Sequence, residues 1–172
     1  MRPRISGGAL KGRSLAVPVP ASARPTSARV REAMFSIVGH DLTGLVVLDA
    51  FSGSGLLALE AASRGAQAIA VERDRRAVRA IRTSVEALGA DVQVLAGPLA
   101  RVVEGLEPVD GALADPPYAD DPGVALAPLW PLVRDWILLE AEAGSPPPEA
   151  ATGWRLERSR RYGGTALHLF RR

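Results

Sequence analysis

Between residues 45 and 140 a short, continuous apolar run gives way to a turn and a helical segment, and then the unit repeats. Leu45–Ala50 reads Leu-Val-Val-Leu-Asp-Ala, apolar on both faces except for one carboxylate. A strand of that kind belongs in a parallel sheet, where helices cover both sides. Ala68–Glu72, Val92–Leu95, Gly111–Ala114 and Trp136–Glu140 repeat the pattern, and helices are predicted over 53–64, 75–88, 99–106 and 124–134. Gly89 supplies the stop for the second of these. Strand–helix alternation predicts a doubly wound α/β sheet. Two further β segments, Trp154–Arg160 and Ala166–Phe170, are joined at Gly163-Gly164. That connection is too short for a crossover, so the sheet is expected to close with an antiparallel strand. Upstream, residues 4–20 predict a small hairpin or extended arm around a glycine-rich turn. Thr26 or Ser27 caps a helix over 28–38, with Val30, Met34, Ile37 and Val38 as its apolar stripe and Arg29 and Arg31 off it. The chain thus divides into an N-terminal arm and helix, 1–40, and a single folded unit, 41–172.

Charge is distributed in the same way. Net charge is only +2, but residues 1–40 carry Arg2, Arg4, Lys11, Arg13, Arg24, Arg29 and Arg31 against Glu32 alone. The closing segment, 154–172, carries six arginines against Glu157. The middle is therefore acidic. Basic ends around an acidic centre are the electrostatic footprint of a chain that meets a phosphate backbone. Cysteine is absent, which excludes disulfides, thiolate metal sites and a cysteine nucleophile. His40 and His168 are far apart, so no histidine metal site is expected. There is no apolar run of about 18 residues and no secretory signal, so a cytoplasmic protein without a membrane segment is expected.

The first strand runs into Asp49-Ala50-Phe51-Ser52-Gly53-Ser54-Gly55. In open α/β sheets ligands bind beyond the carboxyl ends of the strands, and glycines there let backbone approach the ligand. Gly53-Ser54-Gly55-Leu56-Leu57-Ala58 also fits the dinucleotide pattern G-x-G-x-x-A, which alone is weak. Asp49 discriminates. A carboxylate before the glycine turn repels a pyrophosphate but attracts the ammonium and sulfonium of S-adenosylmethionine. Glu72, closing the second strand, is placed to accept the two ribose hydroxyls, a role that NAD and S-adenosylmethionine sites share.

Asp115-Pro116-Pro117-Tyr118 follows the fourth strand, at the same sheet edge. An exocyclic amine on an aromatic ring is a poor nucleophile because its lone pair is delocalised. Two acceptors on its N–H groups draw it towards tetrahedral geometry. The Asp115 carboxylate is one, and the Pro116 carbonyl, held by consecutive prolines, is the other. Tyr118 offers a face on which a planar base stacks. The pattern predicts methylation of an amino nitrogen.

With these motifs in place the chain resembles the RsmD-type 16S rRNA guanine-N2 methyltransferases over nearly its whole length. The resemblance is carried by Arg4-Ile5-Ser6-Gly7-Gly8, Gly12-Arg13 and Leu15; by Arg24-Pro25-Thr26, Arg29-Val30-Arg31-Glu32 and Phe35; by Asp49–Gly55 and Leu59-Glu60-Ala61; by Glu72-Arg73-Asp74 and Asp115–Tyr118; and by Leu139-Glu140 and Arg161-Tyr162-Gly163. It implies an α/β, Rossmann-like class I AdoMet-dependent methyltransferase with a mostly parallel seven-stranded sheet, an antiparallel last strand, and a small N-terminal β arm and helix. It implies Asp115, Pro116, Pro117 and Tyr118 as catalytic. S-adenosyl-L-methionine is then held by Asp49, Phe51, Ser52, Gly53, Gly55, Glu72, Arg73 and Leu99. RNA is contacted by Lys11, Arg13, Arg24, Thr26, Arg29 and Arg31, and no metal is needed. The implied partner is ribosomal RNA, within an assembling small-subunit particle, and a monomer is expected. One departure stands out: Leu95-Ala96-Gly97-Pro98-Leu99 lacks the acid or amide that such enzymes often place near the adenine. Adenine is then held by backbone and apolar contact.

Trp130, Trp136 and Trp154 are expected to pack rather than stack on bases. The rival readings are a DNA adenine-N6 or protein-amide methyltransferase using the same loop, a nicotinamide oxidoreductase, and a non-catalytic RNA-binding or assembly module.

Overall fold

The computed structural model describes residues 2–16 and 26–172. Arg24 and residues 17–20 of the predicted arm lie outside the described residues. The strands are β1 Val46–Asp49, β2 Gln67–Glu72, β3 Val92–Ala96, β4 Val109–Ala114, β5 Val133–Glu142, β6 Arg155–Tyr162 and β7 Thr165–Arg171. The helices are α1 Ala28–Val38, α2 Leu56–Ser63, α3 Arg75–Leu88, α4 Leu99–Val102 and α5 Pro122–Leu126, with a 3-10 turn at Val103–Gly105. The seven strands form one sheet in the order β3-β2-β1-β4-β5-β7-β6. Strands β1 to β5 pair in parallel, and β7 inserts antiparallel between β5 and β6. This is the mostly parallel sheet with an antiparallel last strand that the sequence predicts. Strand order reverses between β1 and β4, and that is where a doubly wound sheet opens a crevice.

Three boundaries differ from expectation for local reasons. Helix α2 starts at Leu56 rather than residue 53, because Gly53 and Gly55 take φ of +52° and +78° and hold the chain in a turn. The helix predicted over 124–134 shrinks to α5; Pro128 and Pro131 break it, and β5 already begins at Val133. Among the described residues the predicted N-terminal hairpin is a single antiparallel bridge, Arg4 to Ser14, closed by Gly12 N–H to the Ile5 carbonyl at 2.8 Å.

The sheet separates two apolar layers. One contains Val47, Leu113 and Leu138 under α1 and α2, and the other contains Leu48, Ala112, Ile137 and Phe170. Helix α2 is buried on nearly every side, and Ile5 and Leu15 of the arm pack against it at Leu56 and Leu59. Helix α1 is capped by the Ser27 side chain, which accepts from Val30 N–H. Its buried face is Val30, Arg31, Met34 and Phe35, one step round from the predicted stripe. Arg31 is therefore not on a solvated face: it is 5% exposed. Trp136 lies in the first layer and Trp154 in the second, where Trp130 packs against Trp154 and Phe170 at 5.3 and 5.2 Å between ring centres. Among the described residues no helix is long and apolar enough to cross a membrane.

Candidate active site

Strands β1 and β4 are neighbours, with Asp49 opposite Leu113, so the loops that leave them emerge side by side. Both open on one cavity of about 790 Å³ at the carboxyl edge of the sheet. Phe51, Ser52, Gly53, Glu72, Arg73 and Leu99 line one part of it, and Asp115, Pro116, Pro117 and Tyr118 line another. Thr26 lines it from the N-terminal segment.

Asp49 is not among the lining residues. It is 1% exposed, and its Oδ2 accepts the Ala58 N–H at 3.0 Å, which ties the end of β1 to α2. Its Oδ1 is buried with no hydrogen-bond partner. Burial, reinforced by the nearby Asp115 and Glu72 carboxylates, raises its carboxyl from the ordinary 3.8 to about 7. Gly55 does not line the cavity either. A Cβ there would come within 2.8 Å of Ile81, so this glycine admits α3 against the turn. The Glu72 carboxylate holds the rim: Oε2 accepts Gly53 N–H and Oε1 accepts Asp74 N–H, both at 2.7 Å. Each oxygen keeps a lone pair for a ligand hydroxyl. Gly97, Pro98 and Leu99 close the end where an adenine contact was expected to be apolar.

In the Asp115–Tyr118 loop, Pro116 is buried and Tyr118 is 40% exposed. Asp120 N–H donates to the Pro117 carbonyl at 2.9 Å, which closes the turn under Tyr118. The Tyr118 hydroxyl lies 3.4 Å from Thr165 Oγ1 on β7. Asp115 Oδ2 accepts the Thr26 hydroxyl at 2.9 Å. Burial raises the Asp115 carboxyl, and the Thr26 hydrogen bond opposes the rise.

The residues expected to meet RNA do not form one group. Lys11 and Arg29 line a second cavity of about 570 Å³, together with His40 and Arg64, and Arg13 is exposed. Arg31 is turned inward onto Glu60, 2.6 Å away, and donates to the Arg4 carbonyl at 2.9 Å. Thr26 is engaged with Asp115. Glu140, Tyr162 and Thr165 line the main cavity although no site role was assigned to them from sequence. Glu140 ends the apolar run Trp136–Leu139 with a carboxylate, as Asp49 and Glu72 end β1 and β2, and that was the signal available.

The cavity has a clear electrostatic character. Among the described residues its charged lining is Glu72, Asp115, Asp120 and Glu140 against Arg73, and the buried Asp49 adds to it. Such a cavity disfavours a pyrophosphate and suits a ligand that carries positive charge and hydroxyls. The orphaned Asp49 Oδ1 fits the same ligand. A sheet of this order, with a glycine turn and an acid on the adjacent strand end facing the Asp115–Tyr118 loop, makes the chain a Rossmann-like class I methyltransferase.

Relatives agree. The chain is 30% identical over 183 residues to "Ribosomal RNA small subunit methyltransferase D" of Escherichia coli, covering 98% of this chain and 89% of that one. The family model described as "Conserved hypothetical protein 95" matches residues 3–171, and the chain belongs to this family, the RsmD family. The Escherichia coli protein yhhF superposes with a TM-score of 0.87 at 28% identity, over 100% of this chain and 98% of the other. An RNA methyltransferase from Salinibacter ruber, solved with S-adenosyl-L-homocysteine, shares the fold at 19% identity and a TM-score of 0.66, over 86% and 93%.

Proposed function

We propose that the protein transfers a methyl group from S-adenosyl-L-methionine to the exocyclic N2 amine of a guanine in small-subunit ribosomal RNA. The single observation that carries the reading is the common cavity: the Asp115–Tyr118 loop and the Phe51–Gly53 turn with Glu72 face one space. S-adenosylmethionine supplies, when bound, a methyl group made electrophilic by its sulfonium. The chain's own part is to bind and orient. Glu72 accepts hydroxyl hydrogens at the rim, Gly97 to Leu99 contact the adenine, and Phe51 and Gly53 line the space between. On the acceptor side, the target amine donates one N–H to Asp115 and one to the Pro116 carbonyl, while Tyr118 stacks on the base. Held in this way, the amine lone pair is freed for the methyl group that the bound cofactor would supply. The proton then leaves to Asp115 or to water.

The acidic cavity cannot hold RNA phosphate, so the backbone runs over the basic N-terminal extension, residues 1–40. Lys11, Arg13 and Arg29 are exposed there, as are Arg2 and Arg4. The protein acts as a monomer in the cytoplasm, on rRNA within an assembling particle. Mapping N2-methylguanine in rRNA from a strain lacking the gene should show one small-subunit guanine unmethylated and restored by the wild-type gene. Unchanged modification would overturn the assignment. Loss of an N6-methyladenine instead would move the target to adenine.

The raised Asp49 carboxyl gives a second test. In the free protein this group favours the protonated form, so its contribution to stability falls as pH rises from about 4 to about 7. A bound cation favours the ionised form. Affinity for S-adenosylmethionine should therefore weaken by up to about tenfold per unit as pH drops below about 7, with proton release on binding. Calorimetry in buffers of different ionisation enthalpy measures both. Flat affinity from pH 5.5 to 8 would remove Asp49 as the counter-charge, and NAD binding without S-adenosylmethionine binding would overturn the cofactor assignment.

A further inference from the structure

Thr26 lies 89 residues from Asp115 in the chain, on the segment that leads into α1, yet its hydroxyl donates to Asp115 Oδ2 at 2.9 Å. The backbone that presents it is braced. Arg31 Nη1 donates to the Thr26 carbonyl at 3.5 Å, and Arg31 is itself held by Glu60 at 2.6 Å and by the Arg4 carbonyl at 2.9 Å. A carboxylate offers two oxygens, and this contact occupies one of them. We propose that Thr26 is a positioning residue for Asp115: its hydroxyl takes Oδ2, fixes the carboxylate plane, and leaves Oδ1 for the amine to be methylated. The inference rests on the amino-methylation reading above and assigns to Thr26 a task other than RNA contact.

Electrostatics gives the hydroxyl a second effect. Asp115 shares the cavity with Glu72, Asp120 and Glu140 and lies near the buried Asp49. Among the described lining residues Arg73 is the basic group. Burial favours protonation of Asp115, and a protonated Asp115 accepts poorly from an amine. The Thr26 hydroxyl works in the other direction. Its removal should push the carboxyl up and should slow the methyl-transfer step rather than RNA binding.

The experiment compares Thr26→Val and Thr26→Ser with wild type on small-subunit rRNA. Thr26→Val should lower kcat about tenfold at neutral pH, as expected for loss of a hydrogen bond to a charged group. RNA KM and Kd should stay within about twofold. The acidic limb of the pH–rate profile should move up by about one unit. A carboxyl-carbon NMR titration of Asp115 in the free protein should move the same way, and Thr26→Ser should restore most of the loss. Three results would overturn the proposal: weakened RNA binding with unchanged kcat and pH profile, an unmoved Asp115 titration, or Thr26→Ser as impaired as Thr26→Val. If the wild-type protein methylates no rRNA, the functional reading fails, but the titration still decides the role of Thr26.

Discussion

Replacing Asp115 by alanine should lower methyl transfer by about three orders of magnitude while S-adenosylmethionine binding changes by less than about threefold. The two effects separate because of where the residue sits. Asp115 belongs to the loop after β4, whereas the Phe51–Gly53 turn follows β1 and Glu72 ends β2. The alanine variant leaves the Glu72 hydrogen bonds to Gly53 and Asp74 in place. It also removes one of the charges that burden Asp49, so folding should not suffer. The amine loses one of its two acceptors and stays planar, which is a cost borne only in the transition state. Asp115→Asn keeps an acceptor oxygen but not the charge, and should recover part of the rate, about tenfold over alanine. Single-turnover rates and calorimetry on the same preparations measure both quantities. A rate within tenfold of wild type for Asp115→Ala would remove Asp115 from the chemistry. A parallel collapse of cofactor binding would make it a cofactor ligand instead.

The strands of the sheet and the two loops that face the cavity were legible in the sequence for a simple reason. Buried parallel strands are continuous apolar runs, and Asp49, Glu72 and Asp115 each fall at or just past the end of one. Residue type and edge position together mark a site. Contacts made through tertiary packing were not legible. Thr26 looked like part of an RNA-facing signature because nothing local ties it to a residue 89 positions away. Gly55 looked like a cofactor glycine, since a G-x-G string does not show which glycine meets ligand and which meets Ile81. Arg31 was placed off the apolar stripe and read as an RNA contact, because a stripe of that kind counts only apolar residues. The observed face of α1 places Arg31 between Val30 and Met34. One clue was available at the other end of that contact. Glu60 is the only charged residue in Leu56–Ser63, a helix too apolar to have a wet face. A carboxylate there requires a buried cation, and the sequence could have been searched for one.

That carboxylate is the basis of the largest stability effect expected in the molecule. Glu60 is fully buried between Arg31 and Arg64, whose side chains are 6% and 4% exposed. Oε1 accepts from Arg31 and from Ser6 N–H at 2.7 Å, and Oε2 accepts from Arg64 and from Ser6 Oγ. Two cations share one anion, and the rest of their demand is met by the Arg4 and Glu60 carbonyls and by the Phe35 ring, 4.1 Å beneath Arg64. Glu60→Ala strands both guanidinium groups and releases Ser6, so the arm and α1 lose their common anchor. The variant should be destabilised by about 3–5 kcal/mol. For a chain of this size that is roughly 10 °C in Tm. Arg31→Met/Glu60→Leu/Arg64→Met removes the charges together and should recover a good part of the loss, because a broken buried network costs more than an absent one. Denaturant unfolding of both variants decides it. Wild-type stability in Glu60→Ala would show that the network does not hold the arm, and a triple variant weaker than the single one would show that its carbonyl contacts matter more than its charges. The same variants bear on catalysis. Because Arg31 holds the Thr26 carbonyl and Thr26 holds Asp115, even a folded Glu60→Ala protein should lose rate before it loses cofactor affinity.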